Sequence, residues 1–172
     1  MELKPQDVVV ALKLCVLKTP GTYAALGKSL GISASEAHAA MRRLTEAGLA
    51  DPDTKSIHRA KLRNFITHGV PYAFPAKTQE VTRGMPTAWA APVMKDLISQ
   101  SDTLTPVWPD PNGTTKGVAV KPLYPSVVMA ALLDPALYDL LALVDALRIG
   151  RARDKHIADE ALNSRLRDYE RI

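Results

Sequence analysis

The most constraining feature of this sequence is a pair of short helical patterns, residues 22–30 and 34–47, separated by a turn of three residues. Gly31 follows the first pattern, at a position where a left-handed residue commonly ends a helix. Ser33 is an N-cap candidate, and Glu36 three residues later completes a capping box that satisfies two backbone amides. Helices joined by so short a turn must pack directly on one another, so the pattern predicts a compact helix pair.

Further elements on both sides of the pair complete a small domain. An apolar stripe with helical spacing predicts a first helix, and Pro20-Gly21 ends it. The turn residues Asp51-Pro52-Asp53-Thr54 separate two short extended segments. The predicted elements are a helix at 5–18, a strand at 49–50, a return strand at 56–58 and a helix at 59–68.

The order of helix, helix, tight turn, helix and two-stranded ribbon resembles the bacterial winged helix-turn-helix transcriptional regulators. The segments "ALGKSLGIS" (25–33) and "SEAHAAMRRLTEAGLA" (35–50) carry the resemblance. Gly27 stands where this family usually has Ala, because the two helices cross closely there. The resemblance covers about 45–70 of the 172 residues and implies sequence-specific binding to double-stranded DNA, with helix 34–47 in the major groove.

The resemblance also implies which side chains contact DNA. A helix in the major groove places side chains of its outer face on the base edges, while the ribbon and the helix start lie near phosphates. Either arginine of the pair at 42–43 can make a bidentate contact with guanine. The predicted contact residues are Ser33, Ser35, His38, Ala39, Arg42, Arg43, Lys55, His58, Arg59, Lys61 and Arg63.

The charge is unevenly distributed along the chain. Residues 1–68 contain ten Lys or Arg and six Asp or Glu, a balance of +4, whereas residues 69–125 carry +1 and residues 126–172 carry −1. A local positive balance favours an anionic partner. The basic excess therefore coincides with the segment that carries the motif, although an arginine pair on a helix is often only a solvated face.

The rest of the chain has a different composition. Nine of the thirteen prolines and five of the nine aromatic rings lie in 69–125, which excludes a long helix or a central sheet but not an ordered segment with short strands. Helical patterns predict a helix at 88–99, a hairpin around Pro111-Asn112-Gly113 and helices over 126–133, 135–149 and 152–169. The expected fold class is mainly α with small β (α+β), with domains at 1–68 and 69–172.

Two roles remain open for the C-terminal helices. A single helix-turn-helix reads few base pairs, so we expect a homodimeric repressor joined through Leu137, Leu140, Leu141, Val144 and Leu147. Alternatively, this helix covers the segment with Trp89 and Trp108 within one chain. The overall layout is also similar to antitoxin-type regulators of abortive-infection and toxin–antitoxin operons. That similarity implies an N-terminal winged helix that represses the operon and a C-terminal part that binds a partner protein. The alternative function is a protein-interaction module, such as an antitoxin or an adaptor, that uses the winged helix without reading DNA.

Other classes of function have little support in the sequence. No phosphate-binding loop, nucleophile elbow or zinc-protease motif occurs, and the four histidines lack metal-ligand spacing. Cys15 lies on the apolar face of the first helix, which favours core packing over catalysis. We therefore expect no enzyme activity, no cofactor and no metal. The lone cysteine and the absence of a signal-peptide or membrane-spanning pattern predict a cytoplasmic protein.

Overall fold

The computed structural model describes residues 1–98 and 105–170 of the chain, without the side chain of Glu170. The α+β class is confirmed: helices predominate, and three strands form one small sheet. The α-helices are α1 (Pro5–Val16), α2 (Tyr23–Leu30), α3 (Ala34–Glu46), α4 (Arg59–His68), α5 (Val70–Ala73), α6 (Pro92–Lys95), α7 (Val127–Leu133), α8 (Pro135–Ile149) and α9 (Ala152–Glu170), and the strands are β1 (Thr78–Pro86), β2 (Pro106–Pro109) and β3 (Thr115–Val120).

The predicted helix pair is present with its predicted ends. Gly31 ends α2 in the left-handed conformation (φ 69°), and its amide donates to Gly27 O. Ser33 and Glu36 form the capping box at the start of α3, with hydrogen bonds of 3.0 Å in both directions. A Cβ at Gly27 would lie 2.6 Å from Ile32 O. The turn therefore packs directly on α2, which requires glycine at this point.

The ribbon after α3 is smaller than predicted. Instead of strands at 49–50 and 56–58, one isolated antiparallel bridge joins Ala50 to Ile57. The loop between them is held from inside by Asp51, whose carboxylate accepts hydrogen bonds from the amides of Asp53 and Thr54. We call residues 51–56 the wing loop. Its compact Asx turn takes the place of a longer ladder because those amides are satisfied locally.

The middle segment forms a closed sheet of three strands. β1 pairs antiparallel with both β2 and β3, and Gly84 lies opposite both Pro109 and Thr115. The prediction of a hairpin at 111–113 is wrong, because β2 and β3 pair parallel to each other. The turn carries the chain from one edge of β1 to the other. This crossing is so close that a Cβ at Gly84 would lie 2.0 Å from Trp108 O.

The helix predicted at 88–99 is interrupted. A 3₁₀ turn at Ala88–Ala90 is followed by the short α6, because Pro92 lacks an amide hydrogen and restricts the preceding residue. The C-terminal end of that prediction, Ser99, lies outside the described residues. The helices predicted at 126–133, 135–149 and 152–169 correspond to α7, α8 and α9 and are confirmed within one residue at each end.

Helix α8 is the centre of the hydrophobic core. Every residue from Leu140 to Leu147 is buried, and α8 packs on α1, α4, α5, α6, α7, α9 and the 3₁₀ turn. The prediction that α8 joins two copies through Leu137, Leu140, Leu141, Val144 and Leu147 is wrong, since each is at most 2% exposed within one chain. A helix apolar on all sides is a buried helix, and here the partners on all sides belong to the same chain.

A buried carboxylate fixes the small sheet to α8. Asp145 accepts hydrogen bonds from Thr87 Oγ1 (2.8 Å), Trp108 Nε1 (2.6 Å) and Arg148 Nη1 (2.9 Å). Burial raises the pKa of Asp145 above its ordinary value, although the Arg148 guanidinium opposes that shift. Trp108 is therefore packed inside the chain, as in the second of the two roles that the sequence left open for α8.

The core crosses the boundary predicted after residue 68. Side chains of α1, α3 and α4 belong to the same buried cluster as those of α8 and α9. Ion pairs also cross the boundary, from Lys13 to Asp134 (2.7 Å) and from Arg63 to Asp159 (2.9 Å). The division into domains at 1–68 and 69–172 stays a prediction, and the hydrophobic core is continuous across the boundary between them.

No helix in the described parts of the chain is both long and apolar enough to cross a membrane.

Candidate nucleic-acid interface

One face of α3 is open to solvent from its first residue. Ser33, Ser35, His38 and Arg42 are exposed and Ala39 is half-buried, whereas Ala37, Ala40, Met41 and Leu44 are buried under the helix. This division follows from helical spacing, which puts the two sets on opposite sides. The face predicted to enter a groove is therefore the face that the rest of the chain leaves uncovered.

Arg42 is the arginine of this face. It is exposed, and among the described residues none pairs with it or accepts a hydrogen bond from its guanidinium. The five N–H donors of Arg42 are therefore available for a planar acceptor pair such as the O6 and N7 of guanine.

The prediction that Arg43 also contacts DNA is wrong. Arg43 is 6% exposed, and its Nε and Nη2 each donate to an Asp7 carboxylate oxygen at 2.7 Å. The hydrogen bonds to Asp7 raise the pKa of Arg43, so its guanidinium stays charged. Asp7 also accepts from the amide of Lys4 at the start of α1. Arg43 therefore ties α3 to α1 and holds the exposed face in place.

An aromatic contact joins α2, α3 and the wing loop. The ring of Tyr23, the first residue of α2, meets the His38 ring edge-on, with centroids 4.9 Å apart. Lys55 Nζ lies 4.2 Å from the centroid of the Tyr23 ring, and it also approaches Gly21 O at 3.4 Å. Sequence analysis missed Tyr23. No local signal marks it, because its two contacts come from residues far along the chain.

The remaining predicted wing residues divide into two groups. His58 and Lys61 are exposed, as expected for phosphate contacts. By contrast, Arg59 donates to Leu166 O and Cys15 O, at 2.9 and 2.8 Å, so its predicted placement is wrong. Arg63 is bound by Asp159 on α9, which also accepts from Thr67. Helix α4 turns Arg59 and Arg63 towards α9 because α9 covers that side of it.

Few acidic groups lie free on the outer side of α3. The Glu36 carboxylate accepts the Ser33 amide, and Glu46 at the far end pairs with the chain's amino terminus at 3.3 Å. In the wing loop, the hydrogen bond from the Thr54 amide holds the pKa of Asp51 below its ordinary value, so this carboxylate stays ionised and turned into its own loop. Arg42 is therefore exposed on a face whose nearby carboxylates, those of Glu36, Glu46 and Asp51, already have hydrogen-bond or ion-pair partners.

We compared the chain with known protein families, curated proteins and solved structures. No protein-family model, curated protein or solved structure matches this chain. The interface therefore has to be judged by its own geometry.

Two further observations concern metal-type clusters and surface grooves. In the ranges 1–98 and 105–170, no three His, Cys, Asp or Glu side chains are grouped so that they could hold a metal ion. Two surface grooves are present: one of about 380 Å³ between α6 and α9, and a polar one of about 280 Å³ between α4 and α9. In the polar groove, Arg63, Thr67 and Asp159 already bond to one another. The exposed face of α3 is the strongest candidate site.

Proposed function

We propose that this protein is a sequence-specific double-stranded DNA-binding regulator of the winged helix-turn-helix type. The observation that carries the proposal is the uncovered outer face of α3, which runs from the capped helix start to Arg42, exposed and unpaired more than two turns along the helix. A helix about 10–12 Å across fits the major groove of B-DNA, and Arg42 then reaches base edges. His38 extends the same face, and Lys55, His58 and Lys61 supply phosphate contacts.

The contacts that hold α3 on its inner side support this proposal. The bidentate pair between Arg43 and Asp7 fixes α3 on α1 from the inner side, and the close turn at Gly27 fixes it on α2. A recognition helix supported on two sides needs little reordering when it binds, which lowers the entropic cost of association. The supporting contacts are all on the side away from the proposed groove.

The first experiment is selection of bound sequences from a pool of random duplex DNA, followed by titration of the enriched site over a salt series. A regulator of this type enriches one motif, and its affinity falls steeply as salt rises because bound cations release counterions. Failure to enrich any motif, or affinity independent of salt, would contradict the proposal.

A charge-matched pair of variants tests the role of α3. Arg42→Gln should cost about 1–3 kcal/mol at the enriched site and relax specificity at one base pair. Arg153→Gln removes the same charge from exposed α9 and should leave the preference unchanged. Equal effects of the two variants would show that net charge, not the α3 face, accounts for binding.

A second candidate function, a protein-interaction module such as an antitoxin or adaptor, has one observation in its favour. On α7, Met129, Leu132 and Leu133 are exposed on one face, and the two leucines are 66% and 67% exposed. α7 lies against the turn of the helix pair, where Ser126 Oγ donates to Leu30 O. In this case selection yields no motif, and the Arg42→Gln variant behaves like the wild type in every DNA assay.

Two copies would allow the protein to read two half-sites, and a homodimer remains part of the proposal although α8 cannot form it. Sedimentation of the free protein and of its complex with the enriched site gives the stoichiometry directly. Two chains per palindromic site support the dimeric repressor, while one chain per site limits the protein to a single half-site.

A further inference from the structure

Three elements of the proposed interface meet at one side chain. Tyr23 begins α2, its ring meets His38 of α3, and Lys55 of the wing loop stands over the same ring at 4.2 Å. Tyr23 is half-buried, and so is Lys55. The ammonium of Lys55 carries three donors, of which one points towards Gly21 O at 3.4 Å. The others remain available to an anion outside.

The backbone of Lys55 has an unusual conformation, which the wing loop maintains through a hydrogen bond from the Lys55 amide to Asp51 O at 3.0 Å. Lys55 has φ 58°, in the left-handed region, and Ala88 is the other non-glycine residue with positive φ in the described part of the chain. A lysine adopts this region at a cost in free energy that surrounding contacts must offset. The contacts with Tyr23 and Gly21 are the ones that hold the Lys55 side chain.

We propose that Tyr23 is a positioning residue that holds Lys55 and His38 at one corner of the α3 face for a contact with DNA phosphates. The inference rests on the proposed function. A free lysine arm loses much rotamer freedom on binding, whereas an arm already ordered over an aromatic face loses less. The ring contributes no donor to DNA itself and acts only through the two side chains that touch it, Lys55 and His38.

A purely structural role for Tyr23 makes a different prediction. In that case, loss of the ring lowers stability, but Lys55 contributes the same phosphate contact with or without it. In a positioning role, the contribution of Lys55 to binding depends on the ring. Coupling between the two residues in DNA affinity, measured by a double-mutant cycle, separates the two roles.

The experiment uses the full chain and a random-sequence DNA duplex of fixed length, because phosphate contacts are independent of sequence. Lys55→Gln should lower the magnitude of the slope of log K against log salt by about 0.9, the value for one phosphate contact. Tyr23→Phe keeps the ring and should bind like the wild type. In the Tyr23→Leu background, Lys55→Gln should change the slope by much less than in the wild type.

Matched controls remove the same groups elsewhere. Lys116→Gln and Tyr72→Leu act at exposed positions on β3 and α5 and should leave the slope unchanged. If Tyr23→Leu does not fold, Tyr23→Met keeps an apolar side chain of similar length without an aromatic face. Full additivity of the Tyr23 and Lys55 changes would overturn the inference.

A measurement without DNA separates this inference from the proposed function. The Tyr23 ring should shift the Lys55 side-chain methylene protons upfield in the NMR spectrum of the free protein, and Tyr23→Leu should remove that shift. An unshifted Lys55 in the wild type would overturn the positioning role even if DNA binds. A shifted Lys55 in a protein that binds no DNA would leave the ring contact intact and overturn the proposed function together with this inference.

Discussion

Arg42 and Arg43 are neighbours in the chain, yet they have opposite environments. Successive residues of an α-helix are about 100° apart around its axis, so α3 turns one guanidinium outwards and the other towards α1. The outward arginine is free for a ligand, and the inward one is bonded to Asp7 at two points. The candidate site therefore depends on Arg43 as well as on Arg42. Arg43 holds α3 on α1, although its own side chain faces away from the proposed ligand.

Arg43→Ala should lower the free energy of unfolding by about 3–5 kcal/mol, because the Asp7 carboxylate would remain buried without its partner. Urea unfolding of the full chain measures the change. Arg42→Ala is the matched control and should stay within about 0.5 kcal/mol of the wild type, since its side chain is exposed. Similar losses in both variants would contradict the assigned roles.

The start of α3 is the element that combines stability with the proposed contact. Ser33 caps the helix through the Glu36 amide, and Glu36 in return accepts the Ser33 amide. The free amides of a helix start attract anions, and phosphate would meet them here. The cap and the proposed phosphate contact both involve Ser33. A test therefore needs substitutions that change helix stability and DNA affinity separately.

Two substitutions at Ser33 do so. Ser33→Ala removes the cap and should cost about 1 kcal/mol of stability. Ser33→Asp keeps a capping oxygen and should preserve stability, but its carboxylate should repel phosphate and weaken binding to all DNA sequences. Thermal unfolding and DNA titration of the two variants provide the test. Wild-type affinity in Ser33→Asp would place the start of α3 away from the phosphates.

At the scale of the whole molecule, hydrogen bonds and an ion pair join α4 to the C-terminal helix α9. Asp159 accepts two hydrogen bonds from Arg63 and one from Thr67, and these join positions more than ninety residues apart in the chain. Burial alone would raise the pKa of Asp159, but the hydrogen bonds from Arg63 and Thr67 outweigh it and lower the pKa below the ordinary 3.8. The carboxylate thus favours the folded state in its ionised form.

The sign of the pH dependence follows from that lowered pKa. The unfolded chain binds the proton more tightly, so the contribution of Asp159 is full above about pH 3.8 and is lost as pH falls through the lower folded value. Asp159→Asn should cost about 1 kcal/mol or less at neutral pH, since the pair is partly exposed to solvent. The difference from wild type should disappear in strong acid, whereas Asp168→Asn, at an exposed position, should stay within about 0.5 kcal/mol of the wild type at neutral pH.

What the sequence determined by itself was the local part of the fold. The ends of α2, α3 and α8 follow from caps, glycines and prolines that act within a few residues, so these elements could be predicted. The exposed face of α3 was predicted for the same reason, since helical spacing separates Arg42 from Leu44. The DNA-binding role that the resemblance implies for these residues remains a proposal.

The tertiary structure decided which predicted contacts are available. Arg43 is bonded to a carboxylate 36 positions away, Arg63 to one 96 positions away, and the α8 leucines are covered by the chain's own helices. Tyr23 likewise gains its role from side chains on α3 and the wing loop, and the Asn-Gly turn joins β2 to β3, which pair in parallel instead of forming a hairpin. Burial and ion pairing depend on groups that are distant in the sequence, and local sequence patterns do not identify those groups.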